Sequence, residues 1–189
     1  MTELEFLVKF PSLSSLSVDG VTSDAHLTKL APLPRLRHLR LVLNGSLDFA
    51  PSRPALESLD FSTGDETDVS WSQLLKPLHQ QPRLRKLRIS TGSSVAGAIR
   101  SVPKSVEWLS LLMVRNEPEE FAHLDLPLST VDELKARPSL RCLNLEFVTD
   151  QNVREVRQRA AALGLATTVT HLSGAASIRV LEIVDEDGD

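Results

Sequence analysis

The chain has no tyrosine, one cysteine, two tryptophans and two methionines in 189 residues. A lone cysteine, Cys142, cannot close an internal disulfide, which places the protein in a reducing compartment, cytosol or nucleus. No apolar run approaches the roughly 18 residues of a membrane-spanning helix. The opening Met-Thr-Glu-Leu-Glu-Phe-Leu-Val-Lys-Phe carries two early acids and too short an apolar stretch for a secretory signal. Aromatic side chains are scarce, six Phe and two Trp against 33 leucines. A core dominated by one branched side chain is built by stacking copies of it, as repeat proteins do. A surplus charge is also missing from the body. The formal net charge is −4, and the acids of Asp185-Glu186-Asp187-Gly188-Asp189 account for all of it. Residues 1–184 are therefore formally neutral and offer no overall attraction to nucleic acid or acidic membranes, and 185–189 reads as a short acidic tail.

What the chain does have is a recurring phrase. Pro11-Ser12-Leu13-Ser14-Ser15-Leu16-Ser17-Val18 returns as Pro34-Arg35-Leu36-Arg37-His38-Leu39-Arg40-Leu41 and as Pro54-Ala55-Leu56-Glu57-Ser58-Leu59-Asp60-Phe61. It returns again from Pro82 to Ile89 and from Pro138 to Leu145, and with one residue inserted after the proline from Pro103 to Leu111. The frame is Pro-x-Leu-x-x-Leu-x-apolar, with first apolar positions at Leu13, Leu36, Leu56, Leu84, Val106 and Leu140. Recurrence at a period of roughly 20 to 34 residues is the signature of a solenoid.

Within each copy the last two apolar positions alternate, which is the period of a short strand with one buried face. This predicts adjacent parallel strands, in chain order, at 16–18, 39–41, 59–61, 87–89, 109–111 and 143–145. Helical signals fill the gaps. Thr22-Ser23-Asp24 offers a cap for Leu27, Leu30 and Ala31. Ser70-Trp71-Ser72-Gln73 and Thr130-Val131-Asp132-Glu133 have the capping-box pattern. Asp150 can cap a helix through Val153 and Val156 to Leu163, with Gly164 where a C-terminus favours positive φ. Residues 2–9 have the apolar face of a helix, residues 44–53 fit an extended connection, and 115–121 reads as an exposed acidic loop. Ile178-Arg179-Val180-Leu181-Glu182-Ile183 fits the frame as a seventh unit. Thr167 to Leu172 also has strand character, and periodicity alone does not decide between an extra strand and a loop.

These residues resemble the leucine-rich-repeat superfamily over nearly the whole chain. The clearest match is Leu36-Arg37-His38-Leu39-Arg40-Leu41-Val42-Leu43-Asn44, similar to the family's Leu-x-x-Leu-x-Leu-x-x-Asn core. Other units carry Val21, Gly64, Gly92, Val114 and Val148 at the Asn position, which marks an irregular variant without a regular Asn ladder. Val21-Thr22-Ser23-Asp24 and Val148-Thr149-Asp150-Gln151-Asn152-Val153 resemble the opening phrase of cysteine-containing repeats, as found in F-box proteins, the substrate receptors of cullin-type ubiquitin ligases. The F-box helix bundle itself has no counterpart ahead of the repeats. The resemblance implies an α/β fold: one curved horseshoe solenoid of about seven units over residues 1–184, with a parallel concave sheet and irregular convex helices. It further implies a non-catalytic protein-interaction module, the substrate-recognition half of an F-box-like receptor, with a Skp-type adaptor as a partner if an F-box lies upstream. Extracellular members of the superfamily are usually closed by disulfide-bonded caps, which a single cysteine excludes. An acidic-tailed cytosolic or nuclear scaffold of the same fold is the alternative, and an enzyme with an unrecognised site comes third.

The residues point to no reaction. His26, His38, His79, His123 and His171 fall in different units, no pair has metal-ligand spacing with a third ligand, and Cys142 has no thiol partner. Gly92-Ser93-Ser94-Val95-Ala96-Gly97 lacks the Lys-Ser/Thr of a phosphate loop. No catalytic residue, metal site or cofactor is therefore assigned. Positions outside the core frame form the concave face. Read down the stack, Arg37, Glu57, Arg85, Glu107, Arg141 and Arg179 make one column, and Ser17, Arg40, Asp60, Arg88, Ser110, Asn144 and Glu182 another. Neighbouring strands lie about 4.8 Å apart, so alternating charges form ladders that pair with each other or serve a partner. The acids within the ladders and the lack of a stacking platform argue against nucleic acid. Trp108 and Leu112 stand out: the frame directs both to the concave face, as a binding anchor would be. Alternatively, the residue inserted after Pro103 shifts the register and buries Trp108. The candidate protein-binding residues are Trp108, Leu112, Arg88, Arg40 and His38.

Overall fold

A computed structural model of the chain describes residues 9–22, 33–43, 56–63, 70–91, 96–113, 131–146, 150–173 and 177–181. The described strands form one eight-stranded sheet in chain order: β1 (Ser15–Thr22), β2 (His38–Leu43), β3 (Ser58–Thr63), β4 (Lys86–Thr91), β5 (Trp108–Met113), β6 (Cys142–Glu146), β7 (Ala166–Ser173) and β8 (Ser177–Leu181). The first seven are parallel, and β8 runs antiparallel to β7. The helical elements are short: α1 (Trp71–Leu75) with a 3₁₀ turn at Lys76–Gln80, α2 (Ala96–Ser101), a 3₁₀ turn at Glu133–Ala136, and α3 (Asp150–Ala162). All six strands that the phrase predicts are present, adjacent and parallel.

The phrase works as a device for starting a strand. In the first, second, fourth and sixth copies the proline is the second residue of a tight turn, closed by bonds such as Leu36 N to Leu33 O (3.2 Å) and Leu84 N to Gln81 O (3.1 Å). Proline suits that position because its ring presets φ. The residue after the first leucine then offers a carbonyl that accepts two successive amides from the next unit. Arg37 N and His38 N bond Ser14 O at 2.8 and 3.0 Å, and Glu57 N and Ser58 N bond Arg37 O at 2.8 and 2.9 Å. The same pair of bonds recurs on Glu57 O, Arg85 O and Glu107 O. The inserted residue in the Pro103 copy is absorbed in its turn. There Pro103 slides back to the first position, Val106 N bonds Pro103 O at 3.2 Å, and Glu107 and Trp108 still bond Arg85 O. Trp108 therefore aligns with Lys86 and Cys142, and the strand register is unshifted.

One face of the sheet is the core. Leu39, Leu59, Leu87, Leu109 and Leu143 stand side by side on successive strands, as do Leu41, Phe61, Ile89, Leu111 and Leu145, all essentially buried. Leu74, Leu75 and Leu78 cover them from the α1 segment, Ala98 and Ile99 from α2, Leu134 from the second 3₁₀ turn, and Val156 and Ala160 from α3. At the strand ends Thr63 and Thr91 face the same way and share a buried hydroxyl bond of 2.9 Å. That bond meets the requirement that buried polar groups be paired.

The structure corrects several expectations from sequence. The seventh parallel strand is 166–173, and 177–181 pairs antiparallel with it, so Arg179 does not continue its charge column; Glu182 lies outside the described residues. Only Gly174-Ala175-Ala176 separate β7 from β8, far short of the dozen or so residues a parallel crossover needs, so the pair must be a hairpin. The Ser70 capping box does not form as such, and Thr130, which would open the second box, lies outside the described residues. Ser70 makes no side-chain cap; its hydroxyl lies 3.0 Å from that of Ser72, and its backbone carbonyl accepts Gln73 and Leu74. Asp132 and Glu133 instead pair across units, Arg159 to Asp132 at 2.6 Å and Arg100 to Glu133 at 2.7 Å. The α3 stop is as expected: Gly164 has φ 70°, its N–H bonds Ala161 O, and Leu165 N bonds Ala160 O, a Schellman ending. The helical readings of 2–8 and 23–31, the Asn44 position, the 44–53 connection, the 115–121 loop and the 185–189 tail lie outside the described residues.

Gly97 in α2 packs directly against the ring of Trp71 in α1. A Cβ there would sit 2.8 Å from Cδ1 of the buried Trp71 ring. Glycine-to-alanine in a helix ordinarily gains up to about 1 kcal/mol, but here the overlap wins. Gly97→Ala is expected to lower stability by about 1–3 kcal/mol, read as a reduced midpoint in urea denaturation. An unchanged or raised midpoint would show that the Trp71 contact gives way freely.

Candidate binding face of the sheet

The face opposite the core carries three columns. The first holds Ser15, His38, Ser58, Lys86, Trp108, Cys142 and Ala166; the second Ser17, Arg40, Asp60, Arg88, Ser110 and Asn144; the third Val42, Ser62, Ser90 and Leu112. Its character changes along the sheet. Strands β2 to β4 present charge, and β5 and β6 present Trp108, Leu112 and Cys142.

The charge ladders are present. Asp60 lies between Arg40 and Arg88, with Oδ2 at 3.7 Å from Arg40 Nε and 4.0 Å from Arg88 Nη1. In the column at the strand starts, Arg37 meets Glu57 at 3.6 Å and Arg85 meets Glu107 at 3.1 Å. Arg85 is held further by bonds to the carbonyls of Pro82 and Ser105. These are long or solvent-exposed pairs, a class worth about 0–1 kcal/mol each. Their stronger effect is on register, because a slipped strand would bring like charges together.

Trp108, Leu112 and Arg88 fall within one region, on β4 and β5. The direct neighbours of Trp108 across the sheet are Lys86 and Cys142, while Arg88 faces Ser110 and is diagonal to the indole. Trp108 and Leu112 are both half-buried, and they flank Ser110 on the same face. Ser110, read from sequence as an outward contact, is fully enclosed and accepts a 3.0 Å bond from Asn144 Nδ2. His38 and Arg40 sit three strands away on β2, on the order of 14 Å from the Trp108 strand, so the five candidate residues do not make one cluster. The Cys142 thiol is half-buried. That burial pushes its pKa up, and a hydrogen bond from the Trp108 side chain offsets part of the rise. A raised pKa keeps it a thiol at neutral pH and makes it a poor nucleophile.

One feature of this face was missed in the sequence. An open depression of about 350 Å³ lies over the starts of β2 to β4, lined by His38, Glu57, Ser58, Arg83, Arg85 and Lys86. It exists because Ser58 is short and sits between His38 and Lys86 in the first column. That column of alternating long and short residues was legible, but only once the strands were aligned. Among the described residues no cluster of His, Cys, Asp or Glu could hold a metal ion, and no helix is long and apolar enough to cross a membrane. No family model and no curated protein matches the chain.

Two outcomes test this geometry. Asp60→Ala removes only long pairings of a partly exposed carboxylate, at 3.7 and 4.0 Å, and should change unfolding free energy by less than about 1 kcal/mol. A loss of several kcal/mol in chemical denaturation would contradict the open placement of the column. Cys142 should react with iodoacetamide at pH 8 several-fold more slowly in the native protein than after denaturation, since burial disfavours the thiolate. Equal rates would mean that the thiol is not covered by Trp108.

Proposed function

We propose that the chain is a leucine-rich-repeat solenoid that binds a protein through the open face of its sheet, without a catalytic step of its own. Its role on this reading is substrate recognition within an F-box-like ubiquitin ligase receptor of the cytosol or nucleus. The repeating turn, the paired-amide step and the constant register from β2 to β6 support the solenoid. The observation that carries the binding reading is the placement of Trp108 and Leu112 on the face away from the core, beside ladders whose charges already answer one another. Binding energy in protein interfaces concentrates on large aromatic anchors that lose water on contact. Charges already engaged within the sheet contribute mainly to orientation.

The test begins with capture of partners by the purified chain and their identification by mass spectrometry, followed by affinity measurements on one purified partner. Trp108→Ala should weaken that affinity by about 2 kcal/mol, roughly 30-fold, with the thermal midpoint nearly unchanged, because Leu109 and Leu111 point the other way. Bound partner should also protect Cys142, its neighbour on β6, from alkylation. A large drop in melting temperature with affinity per folded molecule unchanged would make Trp108 a packing residue and remove the anchor. For the receptor role, the gene product must co-purify with a Skp-type adaptor; binding of a partner with no adaptor in the complex overturns that role and favours a scaffold.

A further inference from the structure

We infer that the outer edge of β1 pairs with the same edge of a second copy of this chain, antiparallel about a two-fold axis through Leu16. This contact uses the rim of the sheet and leaves its open face free, so it stands apart from the binding reading above. β1 ends the sheet, and among the described residues no strand lies against its outer side. The apolar positions there are uncovered. Leu39 and Leu41 align with Leu16 and Val18 and are buried. Leu13, Leu16 and Val18 pack against the same core yet stay half-exposed. Phe10 is more open still. Its carbonyl accepts Leu13 N, as that of Leu33 accepts Leu36 N and that of Gln81 accepts Leu84 N. Leu33 and Gln81 are 2% exposed at that place in the turn, and Phe10 is 52% exposed. Position for position, the first unit is bare where later units are covered by the one before them.

The backbone sets the geometry. Ser14 O accepts Arg37 N and His38 N, and the register places Ser15 against His38 and Ser17 against Arg40. Along a strand, successive residues alternate in the side to which their N–H and C=O point. The groups of Leu16 therefore face β2, and those of Ser15 and Ser17 face outward, unpaired among the described residues. With Leu16 on the axis, Ser15 of each copy stands opposite Ser17 of the other, and each such pair exchanges both N–H···O bonds. The two Leu16 side chains meet at the close, non-hydrogen-bonded position on the core side, and the serine hydroxyls meet on the open side. An axis normal to the sheet joins core to core and leaves both open faces on one side of the joined sheet. Charge permits this edge. Edge strands ordinarily discourage pairing with charged residues or bulges. No charged side chain occurs from Pro11 to Val18, whereas the matching positions on β2 to β4 hold His38 and Arg40, Ser58 and Asp60, and Lys86 and Arg88. The register break in β1 falls between Val18 and Val21, beyond the residues that pair. One strand edge and its apolar fringe make a small contact, which belongs with weak, reversible association.

Sedimentation velocity of the full chain from about 1 to 100 µM, where weak interfaces titrate, should show a reversible monomer–dimer equilibrium. Ser15→Glu with Ser17→Glu sets an acid opposite an acid at both pairs and should raise the dissociation constant at least about tenfold. Ser15→Lys with Ser17→Glu keeps the acid at 17 but sets a base opposite it, and should dimerise at least as tightly as wild type. Both side chains are exposed, so the thermal midpoints of the two variants, measured on monomer, should stay near that of wild type. A chain that remains monomeric throughout the range overturns the inference. So does a dimer that is indifferent to the doubly acidic variant, or one that is lost equally in both variants, since only the paired register tells them apart. Assembly that grows past the dimer with concentration overturns the two-fold, because an open series needs a head-to-tail contact. Trp108→Ala, which tests the open face, should leave the dimer unchanged; loss of the dimer in that variant would place the contact on the open face and remove the edge.

Discussion

Strands β2 to β6 of the parallel sheet are each placed by one carbonyl of the preceding unit that accepts two successive amides. A carbonyl has two lone pairs, so both bonds can form without leaving a backbone donor behind at the start of the next strand. From Ser14 through Arg37, Glu57, Arg85 and Glu107 the arrangement repeats, and it fixes where every later residue of the strand lies. In a sheet with one buried face a slip of one residue exchanges core and surface entirely. The stacked leucines, the paired Thr63 and Thr91, the charge ladders and the position of Trp108 all follow from that single registration point.

The unit containing Pro103 shows how firm the registration is. Its extra residue could have been accommodated anywhere between the proline and the strand. It is taken up in the turn, where Lys104 occupies the place that proline holds in other units, because a turn tolerates many residues at that position. A shift within the strand would have moved Leu109 and Leu111 out of the core and Trp108 and Ser110 into it. Burying a tryptophan among leucine-sized neighbours while exposing two fully buried leucines is the costlier solution.

Much of this was legible because the information is local and periodic. Leu39, Leu59, Leu87, Leu109 and Leu143 announce themselves by spacing, and Arg40, Asp60 and Arg88 fall into a ladder once those leucines are aligned. Gly164 was legible for the same reason, since a positive φ after a helix is a local demand. The misses came where a local pattern competed with a tertiary one. Ser70 to Gln73 has a capping sequence, yet the Ser70 hydroxyl lies against that of Ser72 and makes no cap bond, while Asp132 and Glu133 pair with Arg159 and Arg100 of neighbouring units. Ile178 to Ile183 matches the frame, but three intervening residues cannot make a crossover, and chain connectivity overrides pattern. The enclosure of Ser110 and the depression above Ser58 depend on side-chain lengths on adjacent strands, which no single unit contains.

The division of the open face follows from the same columns. On β2 to β4 the second column alternates in sign, so each arginine has an acid beside it and the surface there is well hydrated but electrically satisfied. From β5 onward the column turns to Ser110 and Asn144, which bond each other, and the neighbouring positions become Trp108, Leu112 and Cys142. Releasing water from this second region is favourable at roughly 25 cal/mol for each Å² of apolar surface covered, whereas covering the first region would strip hydration from charges for little return. The open face is thereby divided between a hydrated, charge-paired region on β2 to β4 and a region richer in apolar surface on β5 and β6.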